Sequence, residues 1–71
     1  MVEIFNVNIT QRMNADLLES WLIILFPDFD FNFDLSDQEY ILRVQAKNER
    51  IDQASILKFT KSLGYDIQLL K

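Results

Sequence analysis

The most constraining feature of this sequence is a strict alternation of apolar and polar residues that runs from Asp28 to Leu35. Phenylalanine or leucine occupies every second position, and aspartate or asparagine occupies the positions between. Because successive side chains of a β-strand point to opposite faces, this two-residue period predicts a strand with one buried and one solvated face. A helix would distribute the same aromatic side chains around its circumference. The chain is therefore expected to form a sheet with one covered face.

The same alternation returns in the segments 2–9, 40–47 and 65–69, which predicts three further strands. The polar residues between the second and third strands form a predicted turn, so these two strands are expected to pair as a hairpin. In the expected register Leu35 pairs with Tyr40.

A first helix is predicted between the first and second strands. Apolar residues recur there at intervals of three and four positions, and the pattern stops just before Pro27. The helix is expected to begin at Asn14 or at a nearby polar residue. Its predicted buried stripe consists of Leu17, Leu18, Trp21, Leu22 and Leu25.

A second helix is predicted after Asn48, whose side chain can cap the N-terminus. Acidic residues in the first turn and lysines in the last turn suit the helix dipole. Gly64 stands where helices commonly end with a left-handed residue. The predicted buried stripe consists of Ile51, Ala54, Ile56 or Leu57, Phe59 or Thr60, and Leu63.

The resulting order is β-α-β-β-α-β, which predicts an α+β, ferredoxin-like sandwich formed as one domain over residues 1–71. Its antiparallel sheet is expected to have the strand order 4-1-3-2, with both helices on one face. The predicted core combines Phe5, Val7, Phe29, Phe31, Phe33, Val44, Leu57 and Leu63.

Residues 55–70 resemble the closing helix and strand of heavy-metal-associated (HMA) domains, the fold of small copper chaperones. Those domains end in a similar Leu-Gly-Tyr followed by an acidic residue, which is the pattern of residues 63–66 here. Residues 25–29 stand where HMA domains have a Leu-Pro-Gly-Val-like helix end, and the central hairpin also matches. The resemblance covers nearly the whole chain.

The resemblance implies a Cys-x-x-Cys pair after the first strand, where two thiolates hold Cu(I) or a similar soft metal. The corresponding positions here are Arg12 and Ala15, or Gln11 and Asn14 in the alternative register. The chain contains no cysteine and no histidine, and Met13 alone is a weak ligand. The sequence therefore indicates a degenerate HMA-like domain that has lost its metal site and needs no cofactor.

Composition and charge argue against several classes of function. The net charge of −4, with only seven scattered basic residues, opposes binding to nucleic acid. No motif for acid–base or nucleophilic catalysis is present, so the protein is not expected to be an enzyme. Asp28, Asp30 and Asp34 share one strand face, but spacings of about 7 Å are too wide to surround a cation. We expect a solvated row, with Asn32 opposite Arg43 and Asp28 opposite Lys47.

The first helix is apolar on more than one side, whereas a helix packed on one sheet face needs a single stripe. Ile23 and Phe26 either fill helix–helix contacts or belong to a surface for a partner protein or self-association. The candidate interaction surface consists of Arg12, Met13, Trp21, Ile24 and Phe26.

Two functional hypotheses follow from these observations. The leading hypothesis is a non-catalytic interaction or regulatory module on a metallochaperone-like scaffold. The alternative is a domain that binds a small molecule or metal ion through the loop after the first strand, without thiolate ligands. No basic segment precedes an apolar stretch, and the longest apolar run covers only residues 21–26, so a cytoplasmic location away from membranes is expected.

Overall fold

The computed structural model describes residues 1–35, 40–46 and 50–70. Within them the elements are β1 (Val2–Val7), α1 (Arg12–Leu25), β2 (Phe29–Leu35), β3 (Tyr40–Ala46), α2 (Gln53–Ser62) and β4 (Ile67–Leu70). The four strands form one antiparallel sheet in the order β2-β3-β1-β4. This is the predicted order read from the other edge, and the fold is the predicted ferredoxin-like α+β sandwich.

The register of the β2–β3 hairpin is also as predicted. Leu35 pairs with Tyr40, and Asn32 lies opposite Arg43. The predicted turn at 36–39 and the predicted pairing with Lys47 lie outside the described residues. Because the register is correct, the phenylalanines of β2 point toward the helices, and the aspartates between them point to the open face.

One hydrophobic core lies between the sheet and the helices. The two central strands, β1 and β3, contribute its most buried side chains, while Phe29, Phe33 and Leu57 pack against it as half-buried residues. Phe31 is only 5% exposed, as the alternation requires. The prediction for Leu63 is wrong. This residue is 44% exposed, because α2 ends at Ser62 and the helical spacing that predicted its burial does not continue to the C-cap.

The buried stripe of α1 differs from the predicted one. Ala15, Leu18 and Leu22 are buried, whereas the predicted core residues Leu17, Trp21 and Leu25 are exposed. The helix begins at Arg12 and follows Gln11, one of the polar residues near Asn14. A helix that packs on one sheet face buries only part of its circumference, and the residues at i, i+3 and i+7 occupy that part here.

The start of α2 was also predicted wrongly. The helix begins at Gln53, and Asp52, not Asn48, is its N-cap. Ile51 is buried just before the helix, Ile56 and Thr60 form the buried stripe within it, and Ala54 is exposed.

Gly64 ends α2 as predicted, since its φ of 96° is accessible to glycine at little cost.

The Asp52 cap predicts a local response to pH. The hydroxyl of Ser55 (2.7 Å) and then its backbone N–H (3.1 Å) donate to the Asp52 carboxylate and lower its pKa from the usual 3.8. Because the pKa is lower in the folded state, the cap stabilises α2 above pH 3.8 and is lost as pH falls through the folded value. We expect the Ser55 amide resonance to report this transition in an NMR titration. Asp52→Asn should remove this pH transition, because the amide does not titrate, while it keeps an oxygen acceptor for Ser55. The same transition in both proteins would contradict this assignment.

Candidate functional site

Five large apolar side chains of α1 point away from the core. They recur at i, i+4, i+8, i+11 and i+12, so they lie on one face of the helix. We call them the outer stripe: Met13, Leu17, Trp21, Ile24 and Leu25. Met13 is 77% exposed and Ile24 is 68% exposed, while the other three members are about half exposed. The protein therefore presents a second apolar face on a helix whose first apolar face is already packed.

The outer stripe is large for a surface patch of so small a protein. Its exposed side-chain surface amounts to roughly 600 Å², taking about 200 Å² for a full large side chain. The largest apolar patch of a typical monomer covers about 300–600 Å² and is often functional. The outer stripe therefore stands at the upper limit of what an isolated monomer exposes.

No charged residue lies within the outer stripe. The charged residues of α1 are Arg12, Asp16 and Glu19, and at 100° per residue all three fall on the opposite flank of the helix. Arg12 Nε lies 3.1 Å from Asp16 Oδ1, and both side chains are well exposed. An exposed pair of this kind contributes little to stability. The electrostatics of the helix thus leave its outer stripe free for apolar contact.

An aromatic cluster explains why the outer stripe faces outward. Phe26, directly after α1, stacks on Phe29 with ring centroids 6.2 Å apart and an interplanar angle of 12°. It also contacts Phe31, at a centroid distance of 6.2 Å. Aromatic pairs of this geometry add to the area that they bury. They attach the C-terminal end of α1 to β2. This attachment favours the orientation of α1 about its own axis in which Trp21 and Ile24 point away from the sheet.

Four of the five predicted surface residues are exposed on α1. Met13, Trp21 and Ile24 belong to the outer stripe, whereas Arg12 is exposed on the opposite flank of the helix. Phe26 is half-buried in the aromatic cluster and lies outside the outer stripe.

Two residues of the outer stripe were missed by the sequence analysis. Leu17 and Leu25 had been assigned to the core, although their spacing from Trp21 by four residues in each direction places all three on one helical face. Ile23 is about half exposed, on the opposite flank of α1.

The loop after β1 does not fit the Cu(I) site that the HMA resemblance implies. Thr10 and Gln11 are exposed, and the Asn14 N–H donates to the Gln11 carbonyl (3.1 Å), so the loop enters α1 through a tight turn. Neither thiolate nor imidazole is available anywhere in the chain. Within the described residues, no group of three or more acidic side chains is placed to hold a metal ion.

A shallow polar depression of about 280 Å³ lies on the open face of the sheet, beside the same loop. It is lined by Asn6, Asn8, Asp66 and Gln68. Asn8 Oδ1 accepts a hydrogen bond from the Asp66 N–H (2.9 Å), and Asn6 Oδ1 is buried without a hydrogen-bond partner among the described residues. Because every lining residue is polar, the depression lacks the apolar enclosure that most small-molecule sites provide.

None of the helices in the described part of the chain is long and apolar enough to cross a membrane. Comparison with protein-family models, with curated proteins and with solved structures found no match. The resemblance to HMA domains therefore stays a prediction from the sequence.

Proposed function

We propose that this chain is a non-catalytic protein-interaction module that binds through the outer stripe of α1. The observation that carries the proposal is a charge-free apolar face running along the whole helix, with Trp21 near its middle. Tryptophan is among the residues that contribute most to binding energy at protein interfaces, and charged residues are depleted at interface centres. The outer stripe combines both properties.

The open face of the sheet supports a protein partner over a nucleic acid. Sheet-based RNA recognition stacks bases on exposed aromatic side chains. Here Phe31 is buried under the helices, while Asp30 and Asp34 are exposed on the open face. Directly opposite these carboxylates lie Gln45 and Ile41, while Arg43 lies opposite Asn32 between them. With two exposed carboxylates beside one guanidinium, such a surface repels phosphate.

Site-specific photo-crosslinking in cells tests the proposed function. A photoreactive amino acid at position 24 lies in the outer stripe, and the same amino acid at position 23 lies on the other flank of the same helix. We expect protein adducts from position 24, loss of these adducts with Leu17→Glu, and few adducts from position 23. No adducts from position 24, or equal adducts from both positions, would refute the proposal.

The alternative of ligand binding beside the loop after β1 has one supporting observation, the buried Asn6 Oδ1 in the polar depression. NMR titration with Mg²⁺, Zn²⁺ or small polar metabolites tests it. If the alternative is correct, saturable shifts will appear at the side-chain amides of Asn6 and Gln68. Shifts confined to exposed carboxylates would exclude it.

The HMA resemblance makes a separate prediction about engineered metal binding. Gln11→Cys with Asn14→Cys should create Cu(I) binding, because both positions are accessible and one hydrogen bond closes the turn between them. Arg12→Cys with Ala15→Cys should bind less well, because Ala15 is fully buried. Competition with a Cu(I) chelator measures both. The unmodified chain should not compete, and competition by it would contradict the predicted loss of the metal site. Failure of the first variant would contradict the HMA resemblance.

A further inference from the structure

We infer that the outer stripe binds a second copy of this chain, with the two α1 helices packed antiparallel around a two-fold axis. This inference rests on the proposed function and names its partner. The symmetry of the stripe, the dipole of α1, the exposed area and the properties of the sheet edges support this pairing.

Four of the five members of the outer stripe are placed symmetrically about the middle of α1, and the position related to the fifth, Ile24, is Asn14. Met13 and Leu25 lie six residues on either side of Glu19, and Leu17 and Trp21 lie two residues on either side. A two-fold interface requires that if one residue contacts a second, the second also contacts the first in the other copy. In an antiparallel pair centred on position 19, Met13 meets the partner's Leu25, and Leu17 meets the partner's Trp21. The stripe is therefore complementary to itself in this orientation.

The dipole of α1 favours the same orientation. A helix carries partial positive charge at its N-terminal N–H groups and partial negative charge at its C-terminal carbonyls. In α1 no acidic residue in the first turn and no basic residue in the last turn neutralises these charges. The antiparallel pair places each N-terminal end beside the C-terminal end of the other helix, whereas a parallel pair would bring like ends together.

The exposed area is sufficient for a weak dimer. Two outer stripes would bury up to roughly 1,200 Å² in total, which is at the lower end of specific protein interfaces. Interfaces at this lower end are commonly weak and transient, so we expect a dissociation constant in the micromolar range. The dimer should therefore form and dissociate with changes in protein concentration.

The edges of the sheet are poorer surfaces for self-association. The β2 edge carries the exposed carboxylates of Asp30 and Asp34, and these would approach the same residues of a second β2 strand. The other edge strand, β4, has only four residues. A charge-free helix face has neither limitation.

Sedimentation and the fluorescence of Trp21 test the inference together. Trp21 is the only tryptophan of the chain, and it lies at the centre of the inferred interface. Between about 1 and 500 μM, we expect the mass to rise from monomer to dimer and the tryptophan emission to shift to shorter wavelength with the same midpoint. A monomer throughout this range, with constant emission, would overturn the inference.

Matched variants locate the interface. Leu17→Glu and Ile23→Glu make the same charge change at exposed positions of one helix, so circular dichroism should show both variants folded. We expect Leu17→Glu to weaken dimerisation at least about tenfold, a change of 1.4 kcal/mol. Ile23→Glu should change it less than about threefold. Equal effects of Leu17→Glu and Ile23→Glu would place the interface elsewhere.

Crosslinking tests the orientation, because the chain has no native cysteine. Met13→Cys and Leu25→Cys are prepared separately, mixed, and treated with a bismaleimide that spans the 8–10 Å typical between packed helices. An antiparallel pair gives mixed 13–25 adducts in preference to 13–13 adducts, and the reverse preference would overturn the inferred orientation.

If the protein stays monomeric while position 24 crosslinks to a different protein in cells, the proposed function stands and the dimer is refuted. A monomer without any crosslinks refutes both.

Discussion

Leu22→Ala should lower the free energy of unfolding by about 2–5 kcal/mol, while Leu17→Ala should leave it almost unchanged. Leu22 is fully buried, whereas Leu17, five residues earlier in the same helix, is 57% exposed. Truncating a buried leucine removes its transfer free energy and leaves a cavity, at a cost of about 2–5 kcal/mol. A domain of this length is stable by only roughly 4–10 kcal/mol. The exposed leucine should change stability by no more than about 0.5 kcal/mol.

Urea denaturation followed by circular dichroism measures both variants. The comparison uses one residue type, one substitution and one helix, so differences in helix propensity cancel. It also tests which face of α1 packs on the sheet, and therefore whether the outer stripe is exposed. If Leu17→Ala lost as much stability as Leu22→Ala, the predicted stripe of the sequence analysis would be correct, and the proposed interaction surface would not exist.

A similarly large loss of stability is expected when a charged side chain replaces a residue on the helix-covered face of β3. Val44 is fully buried, and the next residue, Gln45, is exposed opposite Asp30. Val44→Lys places an unpaired ammonium group and a longer side chain in the core, which should cost at least about 3 kcal/mol. Gln45→Lys forms an opposite-charge pair with Asp30 across the hairpin and should be neutral or stabilising by about 0.2–1 kcal/mol.

Thermal denaturation of the two lysine variants provides the measurement. The expected shifts in melting temperature have opposite signs for adjacent residues. Two shifts of the same sign and similar size would show that β3 is not buried on one face only, and would overturn the register of the hairpin.

The sequence alone determined the strands and their faces. In β2 and β3 each side chain has only two directions available, so the alternation of phenylalanine with aspartate assigns every residue to a face without further information. The element order then leaves few topologies, because crossover connections are right-handed and short. Gly64 could also be predicted, since the end of a helix there requires a backbone conformation that glycine adopts most easily.

Helix boundaries depended on local competition that the sequence pattern does not resolve. Asn48 and Asp52 are both good N-cap residues. Asp52 forms the cap because the hydroxyl and the backbone N–H of Ser55 both donate to its carboxylate. These two hydrogen bonds are visible only in the structure. Leu63 has the spacing of a buried residue but lies at the C-cap, one residue beyond the end of α2, and is exposed.

The rotation of α1 was decided by tertiary structure, and with it the candidate site. The helix carries two apolar stripes of similar spacing, and periodicity alone cannot tell which of them packs on the sheet. Met13, Trp21 and Ile24 were predicted as members of the interaction surface, but Leu17 and Leu25 were not. The stacking of Phe26 on Phe29 and Phe31 connects residues from different elements. Such contacts form only when the chain is folded, so they select the buried stripe and leave the other one exposed.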